Sequence, residues 1–158
     1  MRKELSEKTE VSVGLEALWQ GLSKDLEVTI VNVIPNIMKD TKVVEGDGGI
    51  GIIFLFTLFP GVTPVSYKKE KMTKLDEISH EILLEVVEGG YLEQGFSYYK
   101  TSFQLSAMGE DKTLVKVKIS FKCESETEEE SAEPVKPTKS ALFFLRYLES
   151  YLLNDSST

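Results

Sequence analysis

Between residues 41 and 121 the chain runs through six strand-like segments whose links are mostly too short for anything but hairpins. The segments are Thr41–Glu45, Ile50–Phe59, Val65–Met72, Glu81–Glu88, Phe96–Ala107 and Leu114–Phe121. Each is bounded by turn residues and is read as a strand. Gly46-Asp47-Gly48-Gly49, Pro60-Gly61, Gly89-Gly90 and Gly109-Glu110-Asp111 lie between them. Parallel neighbours need a crossover of about a dozen residues or more, so links this short predict one antiparallel sheet.

What flanks the sheet predicts its cover. Thr9, Val11 and Val13 alternate with polar residues, so Leu5–Val13 reads as an opening strand. Leu15, Leu18, Trp19 and Leu22 have helical spacing over Leu15–Ser23, and a second short helix is expected over Leu26–Val33, ending before Pro35. The polar stretch Glu124–Lys139 carries six glutamates and reads as a loop. A final helix over Thr138–Leu153 aligns Ala141, Phe144, Leu145, Leu148 and Leu152 on one stripe, with Phe143, Tyr147 and Tyr151 widening it sideways. The expected fold is α+β, an antiparallel sheet with one face covered by helices, in a single domain spanning residues 1–158.

Composition narrows the function classes. The formal net charge is -8 across 158 residues, from 26 acidic against 18 basic side chains, so a phosphate backbone would be repelled and nucleic acid is not an expected partner. Cys123 is the only cysteine and His80 the only histidine, which leaves no zinc-type cluster and no internal disulfide. No apolar run approaches the ~20 residues of a membrane span, and no signal segment is seen at the start. A cytoplasmic protein without metal or cofactor, monomeric or weakly dimeric and without a membrane partner, is the expectation.

Gly46-Asp47-Gly48-Gly49-Ile50-Gly51 matches the spacing G-x-G-x-x-G, but strand residues Ile52–Phe56 follow it where a phosphate-binding helix is required, so it reads as a turn. His80, beside Ser79 and Glu81, reads as a solvated turn residue with no nucleophile motif to serve. On Leu114–Phe121 the apolar Val115, Val117, Ile119 and Phe121 share one face, which turns Lys116 and Lys118 to solvent and away from any catalytic task. Val65–Met72 has no clean apolar face, and on pattern alone an edge strand is favoured over a pocket wall.

Taken together, Glu45–Gly51, Leu15-Glu16-Ala17-Leu18-Trp19, Val87–Leu92, Ser97-Tyr98-Tyr99-Lys100-Thr101 and the long last helix resemble the Bet v 1-like family, the plant class 10 pathogenesis-related proteins. The likeness runs almost end to end and is closest to the family's cytokinin-specific, phytohormone-binding members. It implies a seven-stranded sheet gripping the long helix around a large internal cavity. It also implies that Glu70 is a ligand-binding carboxylate, which turns the strand around it from an edge into a pocket wall. Lys68 stands where the hormone binders have glutamine, Phe144 where they have tyrosine, and Ser140 near their helix threonine.

Combined with the strand alternation, the resemblance implies a cavity lined by Leu22, Phe54, Phe56, Lys68, Glu70, Ile82, Leu84, Val86, Tyr99, Thr101, Phe103, Val117, Ser140 and Phe144. The function it implies is non-enzymatic: enclosure of a small hydrophobic plant hormone, a cytokinin such as trans-zeatin or a gibberellin. The alternative is a small-molecule enzyme like norcoclaurine synthase, condensing an amine with an aldehyde. Those relatives use a cavity lysine and carboxylates, for which only Lys68 and Glu70 are in place here. Neither the Ser-Gly-Leu-Pro-Ala gate nor the His-Arg-Leu latch of the phosphatase-regulating receptors with this fold occurs in the sequence.

Overall fold

A computed structural model describes residues 2–62, 64–124 and 136–156. Seven strands form one antiparallel sheet: β1 (Lys3–Val11), β2 (Met38–Glu45), β3 (Ile53–Leu58), β4 (Tyr67–Asp76), β5 (Glu81–Gly89), β6 (Phe96–Ala107) and β7 (Thr113–Cys123). Their order across the sheet is β1-β7-β6-β5-β4-β3-β2. Strands β2 to β7 are successive hairpins, as short links require, and β1 adds to β7 by a long return through the helices. The glycine-rich segment 46–51 is the link between β2 and β3, with no helix after it.

Helices α1 (Leu15–Trp19) and α2 (Leu26–Val33) precede β2, and α3 (Lys136–Ser156) ends the chain. The expected first helix is shorter than its periodicity suggests, because Gln20–Lys24 widens into a π turn around Gly21. Ser23 lies in that turn and donates its hydroxyl to the Trp19 carbonyl at 2.6 Å. The glutamate-rich stretch read as a loop falls mostly on residues 125–135, outside the described residues.

On α3 the expected widening by Phe143 and Tyr147 is not found, since both face outward, but the stripe itself holds: Leu145 and Leu148 are fully buried. They join Leu18, Trp19 and Leu22 and the inner faces of the strands in one core. Polar contacts fix where α3 lies. The Arg146 guanidinium donates to the Thr9 hydroxyl and, at 2.8 Å, to the Glu10 carbonyl, and Glu149 accepts the Ser12 backbone N–H at 2.6 Å. Among the described residues no helix is long and apolar enough to cross a membrane.

Two readings made on local pattern change. Strand β4 is not an edge: it lies between β3 and β5, and its mixed inner face, with Glu70 and Met72 buried, faces the cavity. His80 is not simply solvated. Its ring meets Trp19 edge-on with centroids 5.2 Å apart, its Nε2 lies 3.6 Å from a Glu16 carboxylate oxygen, and its φ of 54° is what the tight β4–β5 link demands.

Candidate functional site

The inner face of β4 carries Lys68 and Glu70 two residues apart, so both side chains point the same way. Lys68 is opposite Phe56 on β3 and Gly89 on β5, and Glu70 is opposite Phe54 and Val86. A bulge makes this register possible. Lys69 pairs with Glu88 and Glu70 with Val86, which leaves Val87 without a partner on β4 and 41% exposed. The extra residue lets Val86 and Gly89, three apart on β5, stand opposite Glu70 and Lys68, two apart on β4.

The two glycines where β5 ends are required by this packing. Gly89 has φ 69° and ψ −157°, and a Cβ there would stand 2.6 Å from the Tyr67 carbonyl oxygen. At Gly90 a Cβ would stand 3.0 Å from the Lys68 Cβ. The bare backbone thus passes against β4 and delivers Tyr91, on the turn Gly90–Glu93, onto the ring of Tyr99 at 4.2 Å between centroids. Phe96 meets both rings edge-on.

Between the sheet, α2 and the first turns of α3 lies a cavity of about 230 Å³. That is just under the ~300 Å³ at which typical small-molecule pockets begin, and Phe56, Tyr91, Tyr99, Phe103 and Phe144 are part of its wall. Twelve of the fourteen residues anticipated for its lining are there: Leu22, Phe56, Lys68, Glu70, Ile82, Leu84, Val86, Tyr99, Thr101, Phe103, Ser140 and Phe144. Ser140 is solvent-exposed and marks the rim.

Phe54 and Val117 are not on the wall. Both lie on the inner face as the alternation requires, but Phe54 stacks on Phe56 and Val117 is wholly enclosed, so both belong to the packed core. The sequence reading passed over Leu26, Ile30, Ile34, Ile37, Met38, Leu58, Tyr91, Ile119 and Ala141, which also line the cavity. The spacing of Leu26, Ile30 and Ile34 at i, i+4 and i+8 was the signal available for α2. Tyr91 had none, since a turn has no periodicity.

The site's electrostatics centre on one ion pair. Glu70 is 7% exposed, and the Lys68 Nζ stands 3.4 Å from its Oε2 and 5.5 Å over the Phe56 ring. Among the described residues of the lining these are the one carboxylate and the one cation. Burial, reinforced by Tyr91 and by the Glu70 charge, pushes the Tyr99 phenol well above its ordinary range, so it stays a neutral hydrogen-bonding group. Lys116 and Lys118 are turned outward, and Lys118 pairs with Glu4 at 3.9 Å. The chamber is therefore apolar, with a single paired charge and a few hydroxyls, an arrangement suited to orienting a small ligand by two or three directed bonds.

The family model described as "Pathogenesis-related protein Bet v 1 family" matches residues 1–155. A norbelladine synthase from Narcissus pseudonarcissus is 32% identical over 130 residues, covering 80% of this chain and 78% of that protein. An S-norcoclaurine synthase from Thalictrum flavum subsp. glaucum is 33% identical over 98 residues, 62% of this chain but only 44% of its own length. Among solved structures, norcoclaurine synthase from Thalictrum flavum in complex with dopamine and hydroxybenzaldehyde superposes with a TM-score of 0.78, covering 98% of this chain and 88% of that one. At 23% identity that likeness speaks for the fold alone. The synthases among the relatives overturn the expectation of a chain outside the enzymes.

Proposed function

Since the chain belongs to the Bet v 1 family of pathogenesis-related proteins, we propose that it encloses one small, largely apolar plant hormone, a cytokinin such as trans-zeatin or a gibberellin, as a cytoplasmic protein. The observation that carries this reading is the Lys68–Glu70 pair inside an otherwise apolar chamber. A buried carboxylate is retained at a cost unless something uses it. Here Glu70 accepts a hydrogen bond from a ligand N–H or O–H, and Lys68 donates to an adjacent ligand acceptor. Tyr99, Thr101 and Ser140 offer hydroxyls around the ring of contacts, while Leu22, Ile82, Leu84, Val86, Phe103 and Phe144 pack against the ligand's apolar body. The cavity of about 230 Å³ favours a flat, compact molecule, and a gibberellin requires side chains to move aside.

Calorimetric titration with trans-zeatin and gibberellic acid in parallel, repeated with Glu70→Gln and Lys68→Gln, tests the reading. The expected result is saturable binding of trans-zeatin weakened by Glu70→Gln, or of gibberellic acid weakened by Lys68→Gln. If neither binds to the parent protein, the hormone reading falls.

A second reading is favoured by the synthases among the relatives. In it the cavity brings an amine and an aldehyde together: the nitrogen bonds to the carbonyl carbon and the C=O π pair moves to the oxygen. Lys68 gives that oxygen a proton, and Glu70, the one carboxylate among the described lining residues, takes the proton released from nitrogen. Incubation with dopamine and 4-hydroxyphenylacetaldehyde, with the product resolved on a chiral column, tests it. One enantiomer in excess would put this reading first, and a racemate at the rate of the buffer control would remove it.

A further inference from the structure

Among the described residues Lys68 and Glu70 are the charged side chains of the cavity lining, and they are of opposite sign. The Nζ–Oε2 separation of 3.4 Å makes them one ion pair, so together they bring no net charge to the chamber. The other polar groups on the wall are the hydroxyls of Tyr91, Tyr99, Thr101 and Ser140. Lys68 is not a free surface lysine either. Its side chain is 28% exposed, its ammonium stands over the Phe56 ring, and Gly90 lacks the Cβ that would crowd its stem.

We infer that Lys68 is a tethered counter-ion occupying the place that a ligand's ammonium group would take at Glu70, and that the cavity therefore selects neutral ligands with a neighbouring donor and acceptor over amines and carboxylates. The inference rests on the reading of the cavity as a small-molecule site. An entering ammonium must share Glu70 with Lys68, which leaves one cation without an anion in an apolar chamber. An entering carboxylate places a second anion beside Glu70 with one cation between them. Either excess charge is costly where water is displaced. A neutral group that donates to Glu70 and accepts from Lys68 satisfies both ions and adds none. The same bookkeeping assigns each residue a separate effect. Without Lys68 the bare carboxylate attracts an ammonium, and without the Glu70 charge the bare ammonium attracts a carboxylate.

Three ligands that share an indole and differ in charge test this: tryptophol, tryptamine and indole-3-acetate. Each is titrated calorimetrically at neutral pH into the full chain and into Lys68→Met, Glu70→Gln and the double variant, with Lys68→Gln repeating the first should the methionine variant not fold. In the parent protein tryptophol binds tightest. Lys68→Met raises the affinity for tryptamine relative to tryptophol by about tenfold or more, the scale of one hydrogen bond to a charged group. Glu70→Gln raises indole-3-acetate relative to tryptophol to a similar degree, and the double variant restores the preference for tryptophol. Ratios unchanged in both single variants would overturn the role of Lys68 while leaving the cavity a ligand site. No binding of any indole to any of the proteins would overturn the small-molecule reading itself.

Discussion

Alanine at position 89 is expected to cost far more than alanine at most other glycines of this chain. Gly89 holds φ 69° and ψ −157°, a region open in practice to glycine alone, and holding another residue there costs about 1–3 kcal/mol. Its missing Cβ matters separately. The added carbon would sit 2.6 Å from the Tyr67 carbonyl oxygen, which is backbone of β4 and cannot rotate away. Relieving that overlap means moving one strand against the other, a repacking cost of about 1–3 kcal/mol. The two together amount to about 4 kcal/mol, a large share of the 5–15 kcal/mol that usually holds a domain. Gly61 is the control: its φ is 80°, but nothing lies within 4 Å of an added Cβ. Gly61→Ala should therefore cost only the left-handed conformation, about 1–2 kcal/mol. Urea unfolding followed by the fluorescence of Trp19 measures both at equal slope, and thermal midpoints should fall by roughly 8–16 °C for Gly89→Ala. Because Gly89 lies opposite Lys68, trans-zeatin binding should weaken in the same variant at temperatures where it is folded. Equal losses for Gly89→Ala and Gly61→Ala would refute the reasoning, since the contact with β4 would then count for nothing.

Three further expectations follow from single groups. Burial holds the Tyr99 phenol protonated in the folded chain, so its folded value lies above the unfolded one of 10.0 and its contribution is full below pH 10 and lost as pH rises beyond it; Tyr99→Phe should leave the tyrosinate absorbance of the native protein unchanged and delay alkaline unfolding. At the acid end, the backbone N–H groups of Ser79 and then Ile78 lower the Asp76 carboxyl below 3.8, and a hydrogen bond from Lys74 lowers Glu81 below 4.5. Their stabilisation is complete above those unfolded values and disappears as pH falls through the lower folded ones, so Asp76→Asn should flatten the pH dependence of urea stability below pH 4. In α3, Leu148→Ala should cost about 2–5 kcal/mol, because Leu148 has no exposure. Phe143→Ala, at a position 62% exposed, should cost less than about 0.5 kcal/mol in the same assay.

Much of the architecture was legible because it is written in local chemistry. Short turns leave little but hairpins, so the order of β2 to β7 could be read, although β2 begins at Met38, β3 at Ile53 and β4 runs on to Asp76, outside the expected bounds. Alternation on β7 placed Val115, Val117 and Ile119 inward and Lys116 and Lys118 outward, as found. The stripe on α3 needed only the 3.6-residue period, and nine of the cavity's wall positions followed from the same two periodicities once the family likeness had put a cavity beneath the sheet, whereas Lys68, Glu70 and Ser140 came from the likeness itself.

What the tertiary structure decided are the features that depend on a neighbour in another strand. Whether β4 is an edge or a wall is invisible in Tyr67–Asp76, since a strand with lysines on both faces satisfies either position until its partners are known. The bulge that leaves Val87 outside and keeps Glu70 beside Val86 is a property of the pair β4–β5, not of either sequence. Inward direction likewise does not separate lining from filling: Phe54 and Phe56 point the same way, yet stacking puts the first in the core and the second on the cavity. Tyr91 enters the site from an aperiodic turn whose path is set by two glycines pressed against β4. A sequence fixes which way each side chain leans along its own element, by sterics that act within a few residues. How much empty space remains where the elements meet, and which charge stands beside which, is settled only by the packing of distant segments.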